Sequence, residues 1–245
     1  MVLQLHGVAN DISSLKLSIN NVDLTRVSDC KFLVITLDES LTWKRHLSRI
    51  NQKVSNALFT IKQLKFTLPT DSLRTLYYAL IHPHLTYGII AWGNAKSSLF
   101  RKTELIQKRA IRIIHNKKIN SHTDPLFKGS RILKLHDIYQ LEVMLFMHDY
   151  INDRLPVSFQ HIYSLRSDTE GAYNTRQSNT FILPRTKSRF VDRLPLYQFP
   201  TMWNRSVQHI KVDVSRNCFE RLIKNQCITS YPTVVPDYMK QLTFA

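Results

Sequence analysis

The chain has 245 residues, 43% of them hydrophobic, and only five glycines. That supports a packed core in one large or two small domains and excludes wholesale disorder. The formal net charge of +16 points to a polyanionic partner, and no apolar run reaches the ~18 residues of a membrane span.

The opening stretch, MVLQLHGVANDISSLK, lacks the basic and apolar regions of a secretory signal. With three cysteines at sparse spacing, Cys30, Cys218 and Cys227, no disulfide framework or zinc site is implied. The expectation is an intracellular protein, nuclear or cytoplasmic, not a secreted one. Residues 15–37 read as strands. LKLSI alternates, the Asn20-Asn21 pair tolerates the positive φ of a tight turn, and CKFLVITL (30–37) predicts a strand buried on both faces. Residues 42–66 read as an amphipathic helix capped by Thr42. Its apolar arc is Leu47, Ile50, Val54, Ala57, Leu58 and Ile61, with Arg45, Arg49 and Lys53 on the adjoining arc. A second helix opens at Pro69-Thr70-Asp71 and runs to Leu80, and Pro83 ends or kinks it.

A third helix, about 98–116 and capped by Ser97 or Ser98, carries Leu99, Ile106, Ala110 and Ile113 on one arc. Arg101, Lys102, Lys108, Arg109 and Arg112 lie opposite, with Lys117 and Lys118 just beyond. Like charges on one stripe repel, so the face is costly without a polyanion against it. Residues 120–136 read as a loop, 137–155 as a Met- and aromatic-rich core helix, and 164–200 as an extended basic loop. A last helix spans about 213–226 with Val214, Phe219 and Leu222 inward, and a loosely held tail follows from Thr229.

The charge is concentrated. Residues 38–120 hold fifteen Lys/Arg against four Asp/Glu, net +11, whereas residues 1–37 are neutral, 121–165 carry −1 and 166–245 carry +6. A basic block confined to one segment is the footprint of a phosphate-binding face. Catalytic signatures are missing. The ten histidines form no zinc-protease arrangement, no Walker loop, nucleophile elbow or dinucleotide fingerprint occurs, and no Asp-Asp pair exists. The sequence therefore assigns no catalytic residue, metal ligand, cofactor or small-molecule ligand. The nearest acidic pair, Asp38-Glu39, reads as capping chemistry at a helix start.

Six blocks occur in order: KFLVITLDESLTWKRHL (31–47), LIHPHLTYGIIAWG (80–93), LIQKRAIRII (105–114), HTDPLFKGSRILKL (122–135), YNTR (173–176) and MWN (202–204). Together they resemble the region downstream of the catalytic palm in reverse transcriptases of jockey-like non-LTR retrotransposons, over roughly residues 15–212. The chain departs from that pattern at Val34 and Phe199, where the family has glycine, and at Ser206-Val207, where it has Leu-Pro. The resemblance implies a mainly α fold in three parts: residual palm-edge strands over 1–40, a basic thumb-like helical domain over 41–120, and a C-terminal helical region over 121–245. It further implies an RNA-directed DNA polymerase whose paired aspartates and Mg²⁺ belong to a palm preceding residue 1, so that this chain alone is no enzyme. The expected partners are RNA or DNA, held through phosphates by Arg45, Arg49, Lys53, Arg101, Lys102, Lys108, Arg109, Arg112, Lys117 and Lys118. Competing readings are an assembly module built on helix 137–155, or the product of a decayed element with no function.

Overall fold

The computed structural model describes residues 17–25, 27–168, 180–185, 194–206 and 214–232. The YNTR block at 173–176 lies outside them. Two hairpins come first. Strands β1 (Ser18–Ile19) and β2 (Val22–Asp23) pair antiparallel across Asn20 and Asn21, which take φ of 50° and 61°. Asparagine tolerates that left-handed geometry, and the turn falls where the sequence placed it.

The next segment corrects the sequence reading. CKFLVITL is not one strand buried on both faces. It splits into β3 (Asp29–Phe32) and β4 (Ile35–Asp38), paired antiparallel in the register Phe32–Ile35 to Asp29–Asp38. The turn between them is Leu33-Val34, with φ of 44° and 71° and side chains exposed by 68% and 54%. A continuous apolar run cannot distinguish a buried strand from a tight hairpin whose turn residue has been replaced. Val34 stands where the resemblance expects glycine, the residue that enters this region without cost.

Helix α1 (Lys44–Leu64) follows at once. Trp43 occupies the cap position, and the Thr42 hydroxyl, one residue earlier, accepts the Lys44 amide at 3.4 Å. The Asp38 carboxylate holds the turn that enters the helix, accepting from the Thr42 and Trp43 amides at 2.9 Å each and from the Thr42 hydroxyl at 3.1 Å. The buried arc is His46, Leu47, Ile50, Val54, Leu58 and Ile61, which matches the expected arc with His46 added and Ala57 moved to its edge.

Helix α2 (Thr70–Leu80) ends where Pro83 required, and two short helices, α3 (His82–Thr86) and α4 (Ile89–Trp92), carry the LIHPHLTYGIIAWG block. The block is structural. Ile81, Leu85, Ile89 and Trp92 are buried, and the Trp92 indole donates to the Tyr87 carbonyl at 3.0 Å. The Tyr87 hydroxyl reaches back and donates to the Leu33 carbonyl at 2.7 Å, pinning the β3–β4 turn. Gly88 sits at φ 62°, where a Cβ would come within 2.6 Å of Ile35, and a Cβ on Gly93 would meet the Tyr139 ring at 2.2 Å. Gly88 is needed for its positive φ and Gly93 for close approach.

Helix α5 (Ser97–Ile114) packs most extensively on α1. Ser97 and Ser98 lie inside it, and Lys96 occupies the cap position without a capping side chain. The stretch expected to be a loop over 120–136 contains α6 (Asp124–Ser130), with Pro125 in its first turn where a missing amide proton costs nothing. Helix α7 (Leu135–Ile151) is the centre of the C-terminal half. It contacts α3, α4, α5, α8 (Pro195–Ser206) and α9 (Arg216–Ser230). The extended-loop reading of 164–200 fails at its end, because α8 begins at Pro195. There proline serves as a first-turn residue and Phe199 and Trp203 provide an apolar face that α7 buries.

Helix α9 is capped by the Ser215 hydroxyl and turns Phe219, Ile223 and Cys227 inward, leaving Leu222 exposed. Thr229 and Ser230 belong to this helix and Tyr231 is buried, so the tail is tied down at least that far. One buried cluster runs from Leu47 to Tyr231. Among the described residues no helix is long and apolar enough to cross a membrane.

Candidate nucleic-acid interface

The ten basic residues singled out by the sequence fall into three groups. On α1, Arg45 pairs with the Asp29 carboxylate of β3. Arg49 donates to the Thr36 hydroxyl at 2.7 Å and lies 3.8 Å from Asp29. These two cations hold the hairpin against the helix and are partly neutralised by it. Lys53 is exposed, with no ion pair among the described residues.

On α5, the buried arc is Phe100, Thr103, Gln107, Ala110, Ile111 and Ile114. It is rotated from the expected one, since Leu99, Ile106 and Ile113 are only half-buried at its flank. At ~100° per residue, Arg101, Lys102 and Arg109 lie about opposite that arc. All three are exposed, and none forms an ion pair among the described residues. Lys108 lies on the flank, half-buried beside Glu104 and Lys134.

Arg112 has a different task. Its Nε donates to the Ser121 carbonyl at 2.8 Å, while its own carbonyl accepts the Lys117 amide at 2.8 Å. Half-burial lowers its pKa from the ordinary arginine value. Arg112 thus staples the turn after α5, and the exposed Lys117 and Lys118 ride on that turn.

On α5 itself the one acidic residue is Glu104, half-buried on the flank beside Lys108, and carboxylates of α6 and α7 are engaged elsewhere. Asp124 pairs with Lys134 at 2.9 Å, Asp149 with Arg216 at 2.9 Å, and Asp137 accepts the Tyr231 hydroxyl. The histidines register the positive field. Burial pushes His46, His84 and His115 below the usual imidazole value, and Arg49 and Lys53, Lys53, and Lys117 respectively push them further.

The residue that sequence reasoning missed is Gln107. It is buried, its amide donates to the Tyr77 hydroxyl at 2.9 Å and the Leu133 carbonyl at 3.0 Å, and its oxygen accepts the Leu135 amide at 2.9 Å. One side chain therefore joins α2, α5 and the start of α7. The available signal was positional: a polar residue at the centre of a helix's buried arc.

No protein-family model matches the chain, and no solved structure does. Two curated proteins match in part. Over 101 residues the chain is 31% identical to the probable RNA-directed DNA polymerase from transposon BS of Drosophila melanogaster, a match covering 40% of this chain and 11% of that protein. Over 115 residues it is 28% identical to the RNA-directed DNA polymerase from mobile element jockey of the same fly, covering 45% of this chain and 12% of the relative. The chain resembles retrotransposon reverse transcriptases. The match spans only about a tenth of the length of those relatives. The blocks that carry the resemblance form a hairpin turn, a helix entry, a glycine-dependent helix corner and the basic helix α5. In the sixth block, Trp203 packs on Phe219, while Asn204 accepts from the Phe181 amide and donates to its carbonyl, each at 2.8 Å.

Proposed function

We propose that this chain binds the phosphate backbone of RNA or DNA through the exposed face of α5 and the turn that follows, as the thumb-like part of a larger RNA-directed DNA polymerase, without catalysing synthesis itself. In this reading residues 1–40 are residual palm-edge strands, 41–120 the basic helical thumb-like domain and 121–245 a C-terminal helical region. Catalytic Mg²⁺ would then be held by paired aspartates of a palm, and the chain contains no Asp-Asp pair.

The observation that carries the reading is the division of α5. Arg101, Lys102 and Arg109 are exposed opposite the buried arc and form no ion pair among the described residues, and no acidic residue occurs between positions 105 and 123. Phosphate contacts of this kind give affinity with little sequence choice. The assembly-module alternative has lost its surface, since Met144 and Met147 of α7 are fully buried.

A salt titration on a short DNA duplex tests the proposal. With Arg101, Lys102, Arg109, Lys117 and Lys118 each neutralising one phosphate, log affinity falls with log salt at a slope of about −4 to −5. Changing Arg101, Lys102 and Arg109 together to Ala flattens the slope by about two to three units. Arg112 is left intact because it holds the turn. An unchanged slope in a triple variant with a wild-type circular dichroism spectrum refutes the assignment.

A further inference from the structure

Among the large apolar side chains on the described surface, two of the three most exposed lie on neighbouring turns. Phe66, 81% exposed, follows α1, and Ile119, 72% exposed, follows α5. The turns are joined, because the Lys65 ammonium donates to the Asn116 side-chain oxygen at 3.3 Å. The C-terminal ends of the two most extensively packed helices therefore meet there.

Both turns are held from within. The Thr67 and Leu68 amides donate to the Leu64 carbonyl at 3.0 and 2.9 Å, fixing the chain around Phe66. Arg112 staples the other turn at both ends, through the Lys117 amide and the Ser121 carbonyl. An apolar side chain displayed by a preorganised backbone is a built feature rather than a frayed end.

The surroundings select the occupant. The Lys65 ammonium lies over one face of the Phe66 ring, 4.4 Å from its centroid, so a base stacks on the opposite face or displaces the lysine; Lys117 and Lys118 flank Ile119, and no acidic residue occurs at positions 40–70 or 105–123. Aromatic and aliphatic tips rimmed by cations match unstacked bases joined by phosphates. A ring face accepts any base, and each lysine meets the adjoining backbone.

We infer that this tip is a base-stacking site, with Phe66 taking the face of an unpaired base, Ile119 packing beside it and Lys117 and Lys118 contacting flanking phosphates. The inference rests on the proposed nucleic-acid reading and deepens it, because it assigns the tip to single strands or strand ends and leaves duplex backbone to α5. Arg112 is a positioning residue for this site.

The test uses the full chain with a fluorescent 20-nucleotide single strand and the corresponding blunt duplex. Phe66→Ala weakens single-strand binding about tenfold at an unchanged salt slope, with a smaller effect on the duplex. Phe66→Trp retains binding, and a base stacked on the new indole quenches emission that saturates with oligonucleotide, a change absent from wild type. Equal single-strand affinity of wild type and Phe66→Ala at every salt concentration overturns the inference while leaving the α5 reading intact. Failure of the wild type to bind either oligonucleotide overturns both. Binding to phosphatidylserine vesicles that Phe66→Ala abolishes, with oligonucleotide binding untouched, makes the tip a lipid-facing surface and also overturns it.

Discussion

Removing the Gln107 side chain should be among the costliest single changes to this fold. Gln107→Ala deletes three hydrogen bonds of 2.9, 3.0 and 2.9 Å in a place only 1% exposed. Two lost partners are backbone groups, the Leu133 carbonyl and the Leu135 amide, with the Tyr77 hydroxyl fully buried beside them. Each buried group left unsatisfied costs ~1–3 kcal/mol, so the two backbone groups alone imply about 2–6 kcal/mol, and the emptied volume adds to it. In a chain of this length 1 kcal/mol corresponds to ~2–4 °C of Tm, which places the expected loss at about 5–20 °C. Gln107→Glu keeps the shape but replaces two donors with acceptors facing two oxygens. Its carboxyl is held protonated by burial, so the folded-state pKa lies above the unfolded one, and its stability falls as pH rises through the ordinary glutamate value. Urea denaturation followed by far-ultraviolet circular dichroism measures both variants. A Gln107→Ala chain within 1 kcal/mol of wild type, or a Gln107→Glu penalty equal at pH 4 and pH 7, refutes the keystone role.

Val34→Gly should stabilise the chain. A non-glycine residue at φ 71° costs ~1–2 kcal/mol, against ~0.5–1 kcal/mol of added glycine entropy, and a lower urea midpoint in the variant contradicts the strain. Gly93→Ala should destabilise it by ~2 kcal/mol or more, since its Cβ would lie 2.2 Å from the Tyr139 ring and overpacking costs ~1–3 kcal/mol; wild-type thermal stability argues against that close approach. Acid should weaken the fold. His46, His82, His84 and His115 are held below the ordinary value of 6.5, by burial first, so the unfolded chain takes up protons before the folded one. Their contribution is full above about pH 6.5 and is lost as pH falls toward the lowered folded values. His136, raised chiefly by its hydrogen bond to Asp137, and Glu142, raised chiefly by burial, act in the opposite sense. Urea midpoints that rise between pH 7 and pH 5 refute the net direction.

How much of the site was legible can be read from α5. Its basic face follows from spacing alone, because Arg101, Lys102 and Arg109 recur where a 3.6-residue period puts them together. What the period cannot show is which cation a neighbour has claimed. Arg45 and Arg49, four residues apart, also share one helix face, yet Asp29 and Thr36 engage them. Arg112 lies on the same stripe as Arg109 but bonds to Ser121, nine residues further along the chain.

The sequence by itself determined the helical character, the Asn20-Asn21 turn, the limits of α2, the buried nature of α7 and the resemblance to retrotransposon polymerases. These rest on local periodicity, turn chemistry and ordered motifs, which are properties of short stretches. The tertiary structure alone decided that CKFLVITL turns back on itself, that Asp38 holds the turn into α1, that Gln107 is a three-way junction, and that the turns bearing Phe66 and Ile119 are joined through Lys65 and Asn116. Each depends on contacts between residues distant along the chain or on a backbone conformation that the local residues disfavour. Local pattern is silent there, because the free energy comes from partners it does not contain.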